Sequence, residues 1–221
     1  MHIKKCNRRD FLKITGLSAA SLALPGCGNS YLSEEAKNPR SKPNIVLILA
    51  DDQGWHQLGC YDNDFFETPN IDRLAEEGMK FTDAYSAAPV CSPTRASIMT
   101  GKYPARLHLT NFIPSSGIGD QSGRAKSKKK LLDPIWIGHL PVEEVTVAEA
   151  LKKAGYTCGH FGKWHLSKDK RYKPGRPGDP ASQGFDEVLT THKAKPTDDP
   201  YNDAHHVKQI TDRSIEFIKD N

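Results

Sequence analysis

The sequence predicts an α/β protein, a doubly wound and mostly parallel sheet with helices on both faces, and three observations carry that expectation. Asn44-Ile45-Val46-Leu47-Ile48-Leu49-Ala50 is an unbroken apolar run rich in β-branched residues, the pattern of a strand buried on both faces. Two later segments, 68–78 and 146–155, each read as a punctuated amphipathic helix. Short strand-like stretches follow them at 80–85 and 156–161, so strands and helices alternate along the chain.

Taken in order, residues 1–27 are a leader. A basic stretch with the pair Arg8-Arg9 precedes an apolar run from Ile14 to Leu24, which resembles a twin-arginine export signal. That run is too short to span a bilayer as a lasting helix. Export machinery is therefore an expected partner, and the periplasm or the cell envelope the expected location. Leu24-Pro25-Gly26-Cys27 also resembles a lipoprotein cleavage box. Either Cys27 is acylated and anchors the chain, or it is a small residue beside an ordinary cleavage site. Residues 1–26 hold five basic side chains against one acidic, a surplus that equals the whole-chain charge of +4. The rest is neutral, so global charge gives no argument for nucleic acid or anionic membrane as a partner. Residues 28–43, polar with two prolines, read as a flexible tether, and 44–221 as the domain.

The strand at 44–50 ends in Asp51-Asp52, at the sheet edge where ligands bind in open α/β folds. In the first helix Thr68 is placed to cap, Pro69 suits the first turn, Ile71, Leu74 and Ala75 share a face, and Gly78 ends it. In the second, Thr146 and Glu149 form a capping box, Val147, Leu151 and Ala154 form the expected buried stripe, and Gly155 terminates it. Residues 106–143 lack periodicity and read as a long surface insertion with a solvated basic run at 124–130. Val207, Ile210, Ser214, Phe217 and Ile218 fall on one helical face, after which the sequence stops at Asn221. Cys60, Cys91 and Cys158 are too few and too scattered for a disulfide framework, and Cys60 and Cys158 are expected core thiols. His56, His108, His139, His160, His192, His205 and His206 have no spacing that demands a metal.

The most informative stretch is Pro89-Val90-Cys91-Ser92-Pro93-Thr94-Arg95-Ala96-Ser97-Ile98-Met99-Thr100-Gly101. It resembles, position by position, the Cys-x-Pro-x-Arg signature of the formylglycine-dependent sulfatases, on the alkaline-phosphatase-like fold. The resemblance implies that Cys91 is oxidised to formylglycine by a dedicated maturation enzyme and that the aldehyde hydrate is the catalytic nucleophile. A sulfate ester needs a strong oxygen nucleophile, and a hydrate beside a divalent cation is readily deprotonated. Its second hydroxyl can then expel inorganic sulfate and restore the aldehyde, which a serine cannot do. If a helix starts here, as the resemblance implies, Arg95 stands one turn after Cys91 and shares its pocket, while Pro93 suits the first turn.

By the same resemblance Asp51 and Asp52 are calcium ligands, together with the modified Cys91, since hard oxygens suit calcium, with magnesium the lesser expectation. Gly162-Lys163-Trp164-His165 resembles the second sulfatase signature, which implies that Lys163 neutralises anionic charge and His165 takes the proton of the second hydroxyl. Cys158 and Phe161 depart from that signature's usual residues. Ser182-Gln183-Gly184-Phe185-Asp186 resembles a structural turn of the family. The expected substrate is an aryl or carbohydrate sulfate ester. The alternatives are a phosphoester or phosphonate hydrolase of the same superfamily, or a non-catalytic surface protein that binds sulfated glycans through Lys128–Lys130. The resemblance covers only the front half of such a domain, so the chain alone is expected to be incomplete and inactive.

Overall fold

The computed structural model of the chain describes residues 42–113, 131, 135–167, 171–191, 203 and 205–221. The leader and the basic run at 124–130 lie outside the described residues, as do most of the tether and His192. Two units are distinguished, Met1–Leu49 and Ala50–Asn221. In the first, residues 42–49 form neither helix nor strand, and Ile48 is 83% exposed. This corrects the expected strand at 44–50. The run has the composition of a strand, but a strand exists only when a neighbour takes up its backbone hydrogen bonds. Among the described residues no partner does so. The expected strand at 80–85 is corrected for the same reason, and Phe81 and Tyr85 are exposed.

In the second unit, α1 spans Pro69–Glu77, with Thr68 before it and Gly78 after it. Thr68 does not cap with its side chain. Its hydroxyl instead accepts the Gly59 N–H (2.8 Å) and donates to Asp72 (2.9 Å), while Asp72 also accepts the Cys60 N–H (2.7 Å). The expected cap is therefore spent on fastening the short 310 turns at Trp55–Gln57 and Gly59–Tyr61 to the helix. Cys60 is half-buried on this surface and not a core thiol. Ile71 and Leu74 remain exposed, so the apolar face of α1 is uncovered.

Helix α2 runs from Cys91 to Thr100. Gly101 ends it in the left-handed conformation (φ 68°), its N–H closing on the Ser97 carbonyl at 2.8 Å. A single turn, α3 (Pro104–Leu107), follows. Helix α4 (Val147–Lys153) carries the expected capping box: the Thr146 hydroxyl accepts the Glu149 N–H (3.2 Å), and the Glu149 carboxylate accepts the Thr146 N–H (2.7 Å). Its buried residue is Ala148 and not the expected Val147, which is 40% exposed.

The sheet comprises β1 (Gly159–Gly162) and β2 (Glu187–Thr190), paired in parallel with Gly159 opposite Glu187 and Gly162 opposite Thr190. The strand expected from Tyr156 begins three residues later. Cys158 has its N–H on the Asp186 carboxylate (2.9 Å) and its carbonyl on the Asp186 N–H (2.7 Å), and the ladder starts from that clasp. Helix α5 (Val207–Asp220) follows β2 and lays Phe217 against Phe161, ring centroids 5.6 Å apart.

The core joins Ala96, Leu107, Leu109, Ile113, Leu140, Trp164 and Leu166, with Met99, Trp136 and Phe185 packed against it. Leu107, Leu109, Ile113 and Leu140 all come from the 106–143 segment. Its lack of periodicity places that segment on the surface, but its described ends are core.

Candidate functional site

Three chain segments far apart in sequence meet at one carboxylate. Asp51 Oδ1 takes a hydrogen bond from Arg95 Nη2 at 3.2 Å, and Asp51 Oδ2 one from Lys163 Nζ at 2.6 Å. Arg95 also donates through Nη1 to the Lys163 backbone carbonyl. The Arg95 side chain is only 11% exposed, whereas Lys163 and Asp51 are 34% and 38% exposed. The buried guanidinium thus organises an opening that is wet on the side of the lysine and the carboxylate.

Each element has a local reason for its place. Arg95 projects from α2 one turn after Cys91, a spacing that sets Cβ atoms about 5–6 Å apart on one face. Cys91 is the first residue of α2, half-buried and a free thiol. Lys163 follows Gly162, whose φ of 116° turns the chain out of β1. Asp52 has φ 57°, a left-handed turn that an aspartate tolerates directly after Asp51. Burial on its own would raise the Asp51 carboxyl, but the Lys163 and Arg95 cations outweigh it and hold the group below its ordinary 3.8.

His165 lies two residues beyond Lys163. Its Nε2 meets the Ile113 carbonyl at 2.8 Å, and its Nδ1 is buried without a partner. Burial lowers its affinity for a proton, and the Lys163 and Arg95 charges add to that effect against the opposing pull of the Ile113 carbonyl and Asp51. Asp51, Arg95, Lys163 and His165 are therefore gathered into one electrostatic neighbourhood, with Cys91 one helical turn from Arg95.

Two further residues went unassigned in the sequence. Ser92, fully buried, accepts the Ile113 N–H at 3.0 Å. His160 stands edge-on to Trp164 and Phe185 at 5.2 and 5.3 Å, and burial, with the Arg95 charge adding to it, pushes its pKa down to about 4. The signal for His160 was its position three residues before Lys163 on a strand. Cys158 is buried as expected, Sγ 3.7 Å from the Ala148 carbonyl, and burial raises its thiol pKa.

Calcium chemistry is compatible with Asp51 and Asp52, whose oxygens are hard donors. Among the described residues, no group of three or more His, Cys, Asp or Glu side chains is arranged to hold a metal ion. Two carboxylates give only part of the six to eight oxygens calcium takes.

Comparison with known proteins bears on the chain as a whole. The sequence model of the sulfatase family matches residues 43–221. N-acetylgalactosamine-6-sulfatase of Rattus norvegicus is 39% identical over 175 residues, which is 78% of this chain and 29% of that protein. Steryl-sulfatase of Rattus norvegicus is 42% identical over 162 residues, 71% of this chain and 25% of that protein. Among solved structures, Ps i-CgsB superposes with a TM-score of 0.54 at 30% identity, covering 79% of this chain and 33% of that one. A structure solved with its substrate D-glucosamine-2-N,6-O-disulfate also gives 0.54, at 26% identity, over 81% of this chain and 31% of that one. The chain thus spans a quarter to a third of the length of these relatives, and their alkaline-phosphatase-like α/β fold is the one it shares. By a family match over nearly all of its sequence beyond the leader, the chain belongs to the sulfatases.

Proposed function

We propose that this chain carries the nucleophile half of a sulfuric ester hydrolase active site, in which Cys91 is converted to formylglycine by a maturation enzyme. The observation that supports this most is the three-way junction at Asp51, where residues from three separate motifs share one carboxylate. Asp51 and Asp52 would hold a calcium ion there, which would supply charge to stabilise the oxygen nucleophile offered by a hydrated aldehyde at position 91. Asp51 and Asp52 carry two negative charges, and Arg95 and Lys163 two positive, so the cluster is neutral by itself. A divalent cation held by the aspartates would leave a surplus of two. That surplus matches one negative charge on the sulfate ester and one on the attacking oxygen.

Within that arrangement the chain's own side chains have distinct tasks. Arg95, buried and tied to the Lys163 backbone, holds a fixed guanidinium beside the first turn of α2. Lys163, more exposed, is free to leave Asp51 for an incoming sulfate oxygen. His165, kept neutral by burial, would accept a proton from a hydroxyl of the nucleophile. The substrate is a sulfate ester, and the sugar disulfate bound by one structural relative favours a carbohydrate carrier. Export by the twin-arginine route, to the periplasm or a lipid anchor at Cys27, belongs to the same reading.

The decisive measurement is the mass of the peptide containing Cys91, made in cells that carry the maturation enzyme. An aldehyde at that position is expected. An unmodified thiol would overturn the catalytic reading. Turnover of aryl sulfate against aryl phosphate, by this chain extended to the length of its relatives, tests the ester class: preference for phosphate would replace sulfate ester hydrolysis by phosphoester hydrolysis.

A further inference from the structure

A single residue, Ile113, links the helix of the nucleophile to the histidine through its own N–H and carbonyl, and it belongs to neither signature. The Ile113 N–H donates to Ser92 Oγ at 3.0 Å, and the Ile113 carbonyl faces His165 Nε2 at 2.8 Å. Ile113 is 4% exposed and Ser92 fully buried, so water does not compete for the bond between them, while the bond to His165 is part-buried. A carbonyl oxygen only accepts, and therefore Nε2 must carry the ring proton. The neutral ring then keeps its lone pair on Nδ1, the atom that is buried without a partner.

The backbone around His165 is held with unusual firmness. His165 itself has φ 58°, a left-handed conformation that a histidine adopts at some cost. Its neighbours hold it there on both sides. Trp164 Nε1 donates to the Gly178 carbonyl at 2.9 Å, and the Leu166 carbonyl accepts the Leu140 N–H at 2.8 Å. Both neighbours are buried, which fixes the backbone from which the ring projects.

We infer that the Ile113 backbone, anchored at its N–H by Ser92, is a positioning device whose carbonyl fixes His165 in its Nε2–H tautomer and makes Nδ1 the proton-accepting atom. Ser92 and Ile113 are positioning residues, since they act on the reaction only through His165. This rests on the role proposed above for His165, and it assigns that role to one atom. It also gives Ser92, inside the nucleophile motif, a task unrelated to maturation of Cys91.

The test is a two-bond proton–nitrogen correlation spectrum of the chain labelled with nitrogen-15 histidine at neutral pH, with the His165 signals identified by their loss in His165→Gln. A pyrrole-type Nε2 and a pyridine-type Nδ1 are expected, in a single tautomer. Ser92→Ala, which removes the acceptor for the Ile113 N–H, is expected to lose that single-tautomer pattern, and Ser92→Thr to keep it. An Nδ1–H tautomer in the unaltered chain overturns the inference, and so does an unchanged pattern in Ser92→Ala. If Ser92→Ala does not fold, scalar coupling across the hydrogen bond from His165 Nε2 to the Ile113 carbonyl carbon decides, and its absence is fatal. The Cys91 mass measurement separates the two: an aldehyde with the wrong tautomer sinks only this inference, whereas a thiol sinks the catalytic reading and, with it, the proton-accepting role of Nδ1, leaving only the tautomer.

Discussion

Replacing Asp51 with asparagine keeps the shape of the junction and removes its charge, so the expected effect can be worked out bond by bond. Hydrogen bonds to charged groups contribute about 1.5–3 kcal/mol. The Arg95 bond is long at 3.2 Å and its acceptor is 38% exposed, which argues for the low end. The Lys163 pair is open to solvent on both partners and is worth about 0.5 kcal/mol. The substituted amide would keep one acceptor oxygen and recover part of this, so the net loss is about 1.5 kcal/mol. For a domain of this size that lowers Tm by about 3–6 °C. The assay is urea and thermal unfolding followed by tryptophan fluorescence, in chelator and at several pH values. Because the folded carboxyl titrates below 3.8, its contribution is present in full above that value and disappears as pH falls through the lower, folded one. The gap between the two proteins should therefore be full at pH 7 and close in strong acid. Equal stabilities at pH 7, or a gap that survives unchanged in acid, would refute the claim that this carboxylate joins the two cations.

Calcium added at about a hundred times its dissociation constant should stabilise the chain by about 2.7 kcal/mol if the two aspartates bind it, and Asp51→Asn should abolish the shift; differential scanning fluorimetry with and without calcium reads this. His160, with a folded pKa of about 4 against an ordinary 6.5, takes up a proton more readily when unfolded, so stability should fall as pH drops from 6.5 towards 4. His160→Leu should flatten that slope in a pH series of urea midpoints. Gly184→Ala should be severely destabilising, since φ is 95° and an added Cβ would lie 2.5 Å from the Glu149 backbone nitrogen; loss of soluble, protease-resistant protein at 37 °C checks it.

Much of the site was legible because its chemistry is compressed into short motifs. Arg95 four residues after Cys91, and Lys163 just past a strand, were legible through the resemblance of their motifs to the sulfatase signatures, and a helix and a strand stand there. Asp51 was legible as a partner of neither, since its contacts cross 44 and 112 residues. The capping box at Thr146 and Glu149 is local chemistry and appears where the sequence places it. The apolar runs at 44–50 and 80–85 carry strand composition without strand pairing, because pairing depends on chain remote from the run itself. The 106–143 segment misled in the other direction: Leu107 enters the core from a single helical turn and Leu109, Ile113 and Leu140 from irregular backbone, which leaves no periodicity to detect.

One hydroxyl ties this architecture together more tightly than its size implies. While accepting the Glu149 N–H, Thr146 also donates to the Gln183 carbonyl at 2.7 Å, just ahead of the turn from which Asp186 clasps Cys158. Helix α4 is thus fastened to the turn that leads into the parallel ladder, three residues before the clasp on Cys158. They should open as one cooperative unit, with amide exchange at Glu149 and Asp186 slowing or quickening together under mild denaturant.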